Sequence, residues 1–152
     1  MAFLSSIDVV GSGLTAQQLR LDVVAENITN STTTRTENGG TYRRKVVAFE
    51  EIPQREGFRE VMARTAGLEA NASRQTGGGV RVAGILEDPS DFKLVFDPTH
   101  PDANEEGYVE LPNVDMVKEM ADAIAANQAY AANVTAFNTL KAVIAKGLEI
   151  GR

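Results

Sequence analysis

The fold is decided by the stretch VDMVKEMADAIAANQAYAANVTAFNTLKAVIAKGLEI, residues 114–150. Its apolar residues recur at helical spacing, and an unbroken helix over this stretch would be about 55 Å long at about 1.5 Å per residue. Pro112 and Asn113 precede it. We therefore predict Asn113 as the residue that caps the helix N-terminus, with Asp115 near the positive helix end.

The apolar surface of this helix is wide, because two adjacent rows of apolar or small residues run along it. One row contains Val117, Met120, Ile124, Asn127, Ala131 and Val134, and the other contains Met120, Ala123, Asn127, Tyr130, Val134 and Phe137. One short partner helix cannot cover both rows. A helix buried within a monomer is one explanation, but the middle of the chain has few large apolar residues, which favours packing between subunits.

The N-terminal residues 4–28 form a second helical pattern with a heptad repeat. Large aliphatic residues occupy one heptad position throughout, namely Ile7, Leu14, Leu21 and Ile28, whereas the other position holds Leu4, Gly11, Gln18 and Ala25. Such a row is too weak for a self-sufficient two-stranded coiled coil. Gly11 and Gly13 indicate either a kink or break in the helix, which we favour, or the close approach of a neighbouring backbone. Asn27, Thr29 and Asn30 are expected to end the helix.

The middle of the chain predicts short strands. Strand patterns occur at residues 42–52, 80–86, 92–96 and 108–111, and residues 54–79 read as a mobile loop. The fold class is therefore α+β, with two long terminal helices paired in a coiled-coil-like layer and a small β-rich middle. We expect residues 1–34 and 113–152 to form the helical part and residues 35–112 to form the β-rich part.

Composition excludes several classes of function. The net charge is −6 and no basic run exceeds three residues, which argues against nucleic-acid binding. The chain has no cysteine and therefore no disulfide or thiolate chemistry. Residues 1–10 lack the basic start of a secretory signal, and the uncharged residues 123–140 include six polar amides and hydroxyls, so we expect neither a cleaved signal nor a membrane span.

No group of residues supports catalysis or metal binding. His100 is the only histidine, and it stands between Thr99 and Pro101 with no nucleophile nearby, so we interpret it as a turn residue. The acidic residues 102–106 do not have the spacing of a calcium-binding loop, and Gly77–Gly79 are not followed by the lysine and hydroxyl residue of a phosphate-binding loop. We expect no enzyme activity, no cofactor and no metal.

Three ordered blocks resemble the axial proteins of the bacterial flagellum, and among them the proximal-rod class. The first is GLTAQQLRLDVVAENI at residues 13–28, followed by Gly39, Tyr42 and Arg43. The second is DPTHPDANEEGYV at residues 97–109, continued by residues 112–115 and by Glu119 and Met120, and the third is AYAANV at residues 129–134. Asn127 and Gln128 depart from the Ser and Arg that are usual in this class.

The resemblance implies a structural subunit of the flagellar basal-body rod that contributes to motility. It implies terminal helices that line a hollow axis, assembly with copies of itself and with other rod proteins, and export to the periplasmic rod by the flagellar type III apparatus without a cleaved signal. The alternative is a helical adaptor or export-cap protein that binds one partner through the same helices. The expected subunit-interface residues are Leu4, Ile7, Leu14, Leu21, Ile28, Met120, Ile124, Tyr130, Val134, Phe137, Ile144 and Leu148.

Overall fold

The α+β fold class is confirmed by a computed structural model that describes residues 2–37, 39–53, 62, 65 and 78–150. Among the elements that the structure describes in full, the helices α1 (Ala2–Thr29) and α2 (Met116–Ile150) precede and follow four short strands in the order of the chain. The strands are β1 (Lys45–Glu51), β2 (Val80–Glu87), β3 (Lys93–Phe96) and β4 (Tyr108–Leu111). The expected loop at residues 54–79 lies outside the described residues, apart from positions 62, 65, 78 and 79.

The two helices pack against each other in antiparallel orientation. Gly13 of α1 faces Asn133 of α2, whereas Arg20, further along α1, pairs with the earlier residue Asp122. Their 28 and 35 residues correspond to lengths of about 42 and 52 Å. The buried residues of the pair lie in the C-terminal half of α1 and the N-terminal half of α2, and they include Ala16, Val23, Val24 and Ala126.

The expected helix break at Gly11 and Gly13 is wrong, because α1 is continuous from Ala2 to Thr29. The alternative, close approach of a neighbouring backbone, is not what the structure shows: at Gly13 an added Cβ would lie 3.0 Å from the side-chain Nδ2 atom of Asn133, and at Gly11 it would meet nothing within 4 Å. Gly13 therefore allows the two helices to pack closely.

The predicted end of α1 is confirmed, because the helix ends at Thr29, although Asn27 still lies within it. The predicted start of α2 needs correction. Asn113 was expected to cap α2, but α2 begins at Met116, and the Asp115 carboxylate accepts a hydrogen bond from the Val117 N–H at 3.0 Å. Asp115 is thus the cap, because the side chain of Asn113 is already bonded to the segment before β1.

The strands form two antiparallel hairpins, β1–β2 and β3–β4. The first hairpin lies along α1 and is hydrogen-bonded to it at both ends. The Asn27 side chain forms hydrogen bonds with the backbone of Lys45, and the Ser12 hydroxyl accepts a hydrogen bond from the Val80 N–H at 3.1 Å. The distance from Ser12 to Asn27 along the helix is about 22 Å, close to the roughly 20 Å length of β1. The hairpin therefore supports α1 over half its length.

We predict that Gly11→Ala and Gly13→Ala have different effects on stability. Alanine is favoured over glycine in a helix by about 1 kcal/mol, and at Gly11 nothing opposes this gain. At Gly13 the contact with Asn133 cancels part of it, and the larger Gly13→Leu forces the helices apart and destabilises the fold. Urea unfolding of the three variants measures this order; equal gains from the two alanines would show that the helices are not in close contact at Gly13.

Candidate functional site

A buried asparagine joins three elements of the fold. The side-chain oxygen of Asn27 accepts hydrogen bonds from the Tyr42 hydroxyl and the Lys45 N–H, both at 2.9 Å. Its side-chain nitrogen donates to the Lys45 carbonyl at 2.8 Å and to the Glu119 carboxylate at 3.0 Å. All four hydrogen-bonding positions of the amide are therefore occupied, so α1, β1 and α2 are held in one arrangement.

Glu119 and Arg44 form an ion pair beside this asparagine. Glu119 has no exposed surface, and its second oxygen accepts a hydrogen bond from the Arg44 Nε at 2.6 Å. The two terminal nitrogens of Arg44 lie 3.3 Å from Asp88, which follows β2, and from Asp122, which is on α2. The Arg44 guanidinium thus meets three carboxylates, two from α2 and one from the segment after β2. We refer to Asn27, Tyr42, Arg44 and Glu119 as the polar joint.

The second hairpin is attached next to the polar joint through Asn113. The oxygen of its side chain accepts a hydrogen bond from the Arg44 N–H at 2.8 Å, and its nitrogen donates to the Ser90 hydroxyl, also at 2.8 Å. Lys93 donates to the Val114 carbonyl at 2.7 Å. The start of α2 and the start of β3 are therefore tied to the same segment of chain.

The environment of the joint shifts several pKa values. Burial lowers the pKa of Arg44, but the hydrogen bond and charge of Glu119, together with those of Asp88, outweigh burial and raise it. Burial and the neighbouring carboxylates of Glu26, Glu119 and Glu87 raise the pKa of Tyr42 to about 12. Hydrogen bonds from the Ser90 backbone and hydroxyl, followed by Arg44, lower the pKa of Asp88.

Four large apolar residues at the start of α2 point away from α1 and are exposed: Met116, Val117, Met120 and Ile124. We call this set the outer face of α2. Met120 is 53% exposed and Ile124 is 60% exposed, although Glu119, next to Met120 in the chain, is fully buried. From residue 123 to residue 140 the helix carries no charge at all, whereas the solvent side of a surface helix usually does.

The structure places the predicted interface residues in three environments. Met120, Ile124 and Leu148 are exposed. Partly buried are Ile7, Leu14, Leu21, Ile28, Tyr130, Val134, Phe137 and Ile144. Leu14 and Tyr130 come together in a shallow groove between the helices. The side chain of Leu4 lies outside the described residues, and the role of the whole set in subunit contacts stays a prediction.

Sequence reasoning missed two groups of residues. The polar joint was missed as a unit, although Asn27, Tyr42 and Glu119 all lie in the segments that carry the family resemblance. The second group is the exposed apolar side of the β3–β4 hairpin, with Leu94 and Phe96. The spacing of Phe92, Leu94 and Phe96 at every second position could have indicated it, because these positions lie on one side of a strand.

Other chemistry is limited in the part of the chain that the structure describes. His100 lies in a turn, and its Nδ1 accepts a hydrogen bond from the Asp102 N–H at 3.1 Å. The described residues contain no group of three or more side chains suited to hold a metal ion. Within the same residues, neither helix is long and apolar enough to cross a membrane.

We predict that Glu119→Ala destabilises the protein strongly. The change leaves the buried Arg44 without its nearest carboxylate and Asn27 without an acceptor, which costs about 3–5 kcal/mol. The matched control is Glu149→Ala on the same helix, whose exposed pair with Lys146 contributes about 0–1 kcal/mol. Urea unfolding measures both; equal losses would show that the joint does not hold the fold together.

We predict that Tyr42→Phe reduces the loss of stability at high pH. The pKa of Tyr42 is about 12 in the folded protein against an ordinary 10.0, so the unfolded chain releases the proton first and stability falls as pH rises from about 10 to 12. Phenylalanine removes this component but also removes a hydrogen bond worth about 1 kcal/mol at neutral pH. Unfolding curves of both proteins between pH 7 and 12 should converge; parallel curves would contradict the prediction.

Two family models match the terminal parts of the chain. The model described as flagella basal body rod protein matches residues 7–35, which include most of α1. The model described as flagellar basal body rod FlgEFG protein C-terminal matches residues 105–150, which include β4 and α2. The matched regions thus contain Asn27 and Glu119 of the polar joint and the outer face of α2.

Curated relatives match over the whole chain. The flagellar basal-body rod protein FlgC of Bacillus subtilis (strain 168) is 46% identical, with all of both chains covered. The FlgC protein of Borreliella burgdorferi is 42% identical over 99% of this chain and 98% of its own. That of Escherichia coli O6:H1 is 38% identical over the full length of both. With this identity over its entire length, the chain belongs to the FlgC family of flagellar basal-body rod proteins.

Proposed function

We propose that this chain is a structural, non-enzymatic subunit of the flagellar basal-body rod, and that it assembles through the exposed faces of its two terminal helices. The observation that carries the proposal is the outer face of α2, where four large apolar side chains are exposed beside a fully buried carboxylate. Exposed apolar surface of this kind marks contact with another protein.

The energetics favour several neighbours over a single one. Fully burying an exposed large apolar side chain contributes about 1.5–3 kcal/mol, and the exposed parts of these four amount to little more than two whole side chains, so the face contributes about 3–7 kcal/mol. Association itself costs about 4–15 kcal/mol, so this face alone holds a partner weakly. The uncharged surface further along α2 supplies more contact area. A subunit held by several such contacts fits a polymer, in which different faces meet different neighbours.

In line with the family, we extend this proposal to the layout, the neighbours and the delivery of the subunit. Residues 1–34 and 113–152 would form the axial part of the subunit, and residues 35–112 the part further from the axis. The neighbours would be copies of this chain and other rod proteins. Delivery to the periplasmic rod would use the flagellar type III export apparatus.

We predict that Ile124→Lys prevents assembly without unfolding the subunit. The new charge lies on an exposed surface, so the free protein keeps its stability, but burying an unpaired lysine in a contact is costly. The matched control is Ile85→Lys on β2, where the isoleucine is also about half exposed. Swimming motility and the presence of the chain in isolated basal bodies are the measurements; normal incorporation of Ile124→Lys would contradict the proposed interface.

The stoichiometry of the assembly distinguishes the rod from the adaptor alternative. A density map of isolated basal bodies should show this chain in several copies related by a helical operation, with α1 and α2 toward the axis. A single copy bound one-to-one to another protein would support the adaptor.

A further inference from the structure

The β3–β4 hairpin has a free apolar side that the helix interface leaves unexplained. Leu94 and Phe96 are 63% and 64% exposed, and Tyr108, opposite Phe96 in the register, is 40% exposed. Side chains that face each other across an antiparallel pair lie on the same side of the sheet. We call Leu94, Phe96 and Tyr108 the hairpin patch.

The hairpin patch is held in a fixed shape. The rings of Phe96 and Tyr108 meet edge to face at 5.3 Å between centroids. Gly107 has a φ of +82°, and a Cβ at this position would lie 3.0 Å from the Phe96 ring. The ring therefore packs closely against the glycine. An exposed aromatic side chain with little freedom loses little entropy on binding, and such residues often dominate the affinity of a contact.

The turn that joins the two strands is also held by many hydrogen bonds. The Asn104 side chain accepts from the N–H groups of Glu106 and Tyr108 at 3.0 and 2.8 Å, and Asp97 accepts from Thr99. The Thr34 hydroxyl donates to the Asp102 carboxylate at 2.8 Å, which ties the turn to the segment after α1. The patch is therefore preorganised before any partner arrives.

The charge around the patch indicates what kind of partner fits. Residues 91–110 contain six carboxylates and one lysine, a net charge of −5, whereas the entire chain has a net charge of −6. Glu110 lies opposite Leu94 on the side of the patch, and Glu110 and Asp102 line a shallow cleft beside Tyr108 with one cation, Arg35. The single lysine of this segment, Lys93, already donates a hydrogen bond to the Val114 carbonyl. The rest of the chain has a net charge of only −1.

We propose that the hairpin patch is a docking surface for a different protein, one whose contact surface has an apolar centre surrounded by lysine and arginine. Apolar contact with Leu94 and Phe96 supplies affinity, and the carboxylates select a basic partner and repel nucleic acids and acidic membranes. The proposal takes the rod as its setting and so rests on the proposed function, but it concerns a surface distinct from the helix faces.

The test is site-specific photo-cross-linking in the cell that makes this chain, with Phe96→p-benzoylphenylalanine. We expect a cross-link to another basal-body protein, at a segment with at least two lysine or arginine residues. Adding Glu110→Lys should lower the cross-linking yield by about five- to tenfold, because the attraction between residue 110 and a basic partner becomes a repulsion. The matched control Glu87→Lys on β2 should leave the cross-linking yield unchanged. Leu94→Ala should also lower the yield, whereas its matched control Leu86→Ala should not.

Four results would overturn the inference: a cross-link to a second copy of this chain, a cross-link to a segment without basic residues, no cross-link, or a yield insensitive to Glu110→Lys. Thermal unfolding of each purified variant checks that the fold is retained. Absence of the unmodified chain from isolated basal bodies would instead contradict the proposed function. Presence of the chain there together with any of the four results contradicts only the role of the hairpin patch.

Discussion

The structure depends on one constraint, which is that the buried amide of Asn27 and the buried carboxylate of Glu119 must both be satisfied. Each group would be costly inside the protein without partners, because burial removes its hydrogen bonds to water. Both are satisfied where α1, α2 and the start of β1 meet, and Arg44 neutralises the charge there. The apolar contacts between the helices, by contrast, would tolerate several relative orientations.

This constraint determines which surfaces remain free. With Glu119 directed toward α1 and β1, Ile124 lies on the far side of α2 and Met120 about 100° around the helix, and both stay exposed. The same joint positions Asn113 and Ser90, and thereby the β3–β4 hairpin with its exposed Leu94 and Phe96. A subunit of a polymer needs its contact surfaces at fixed angles, and a satisfied polar network specifies angles better than apolar packing alone.

Much of the fold could be predicted from periodicity. The rows of apolar residues in the two terminal segments indicated the helices, and alternation in residues 80–86 and 92–96 indicated strands. The errors concern places where a distant residue decides the local outcome. Gly13 reads as a helix breaker by propensity, but its role is to make room for Asn133, 120 positions later. Asn113 reads as a cap, but the Arg44 N–H occupies its side chain, so Asp115 takes that role.

By itself, the sequence determined the two long helices, the short strands between them, the excess of acid in residues 91–110 and the membership of a flagellar family. Only the tertiary structure decided which of two adjacent charged residues, Lys118 or Glu119, is buried, and which of the two apolar rows of α2 faces outward. The physical reason is that burial depends on partners far away in the chain. Glu119 is satisfied by Asn27, 92 positions earlier, and no local pattern records such a contact.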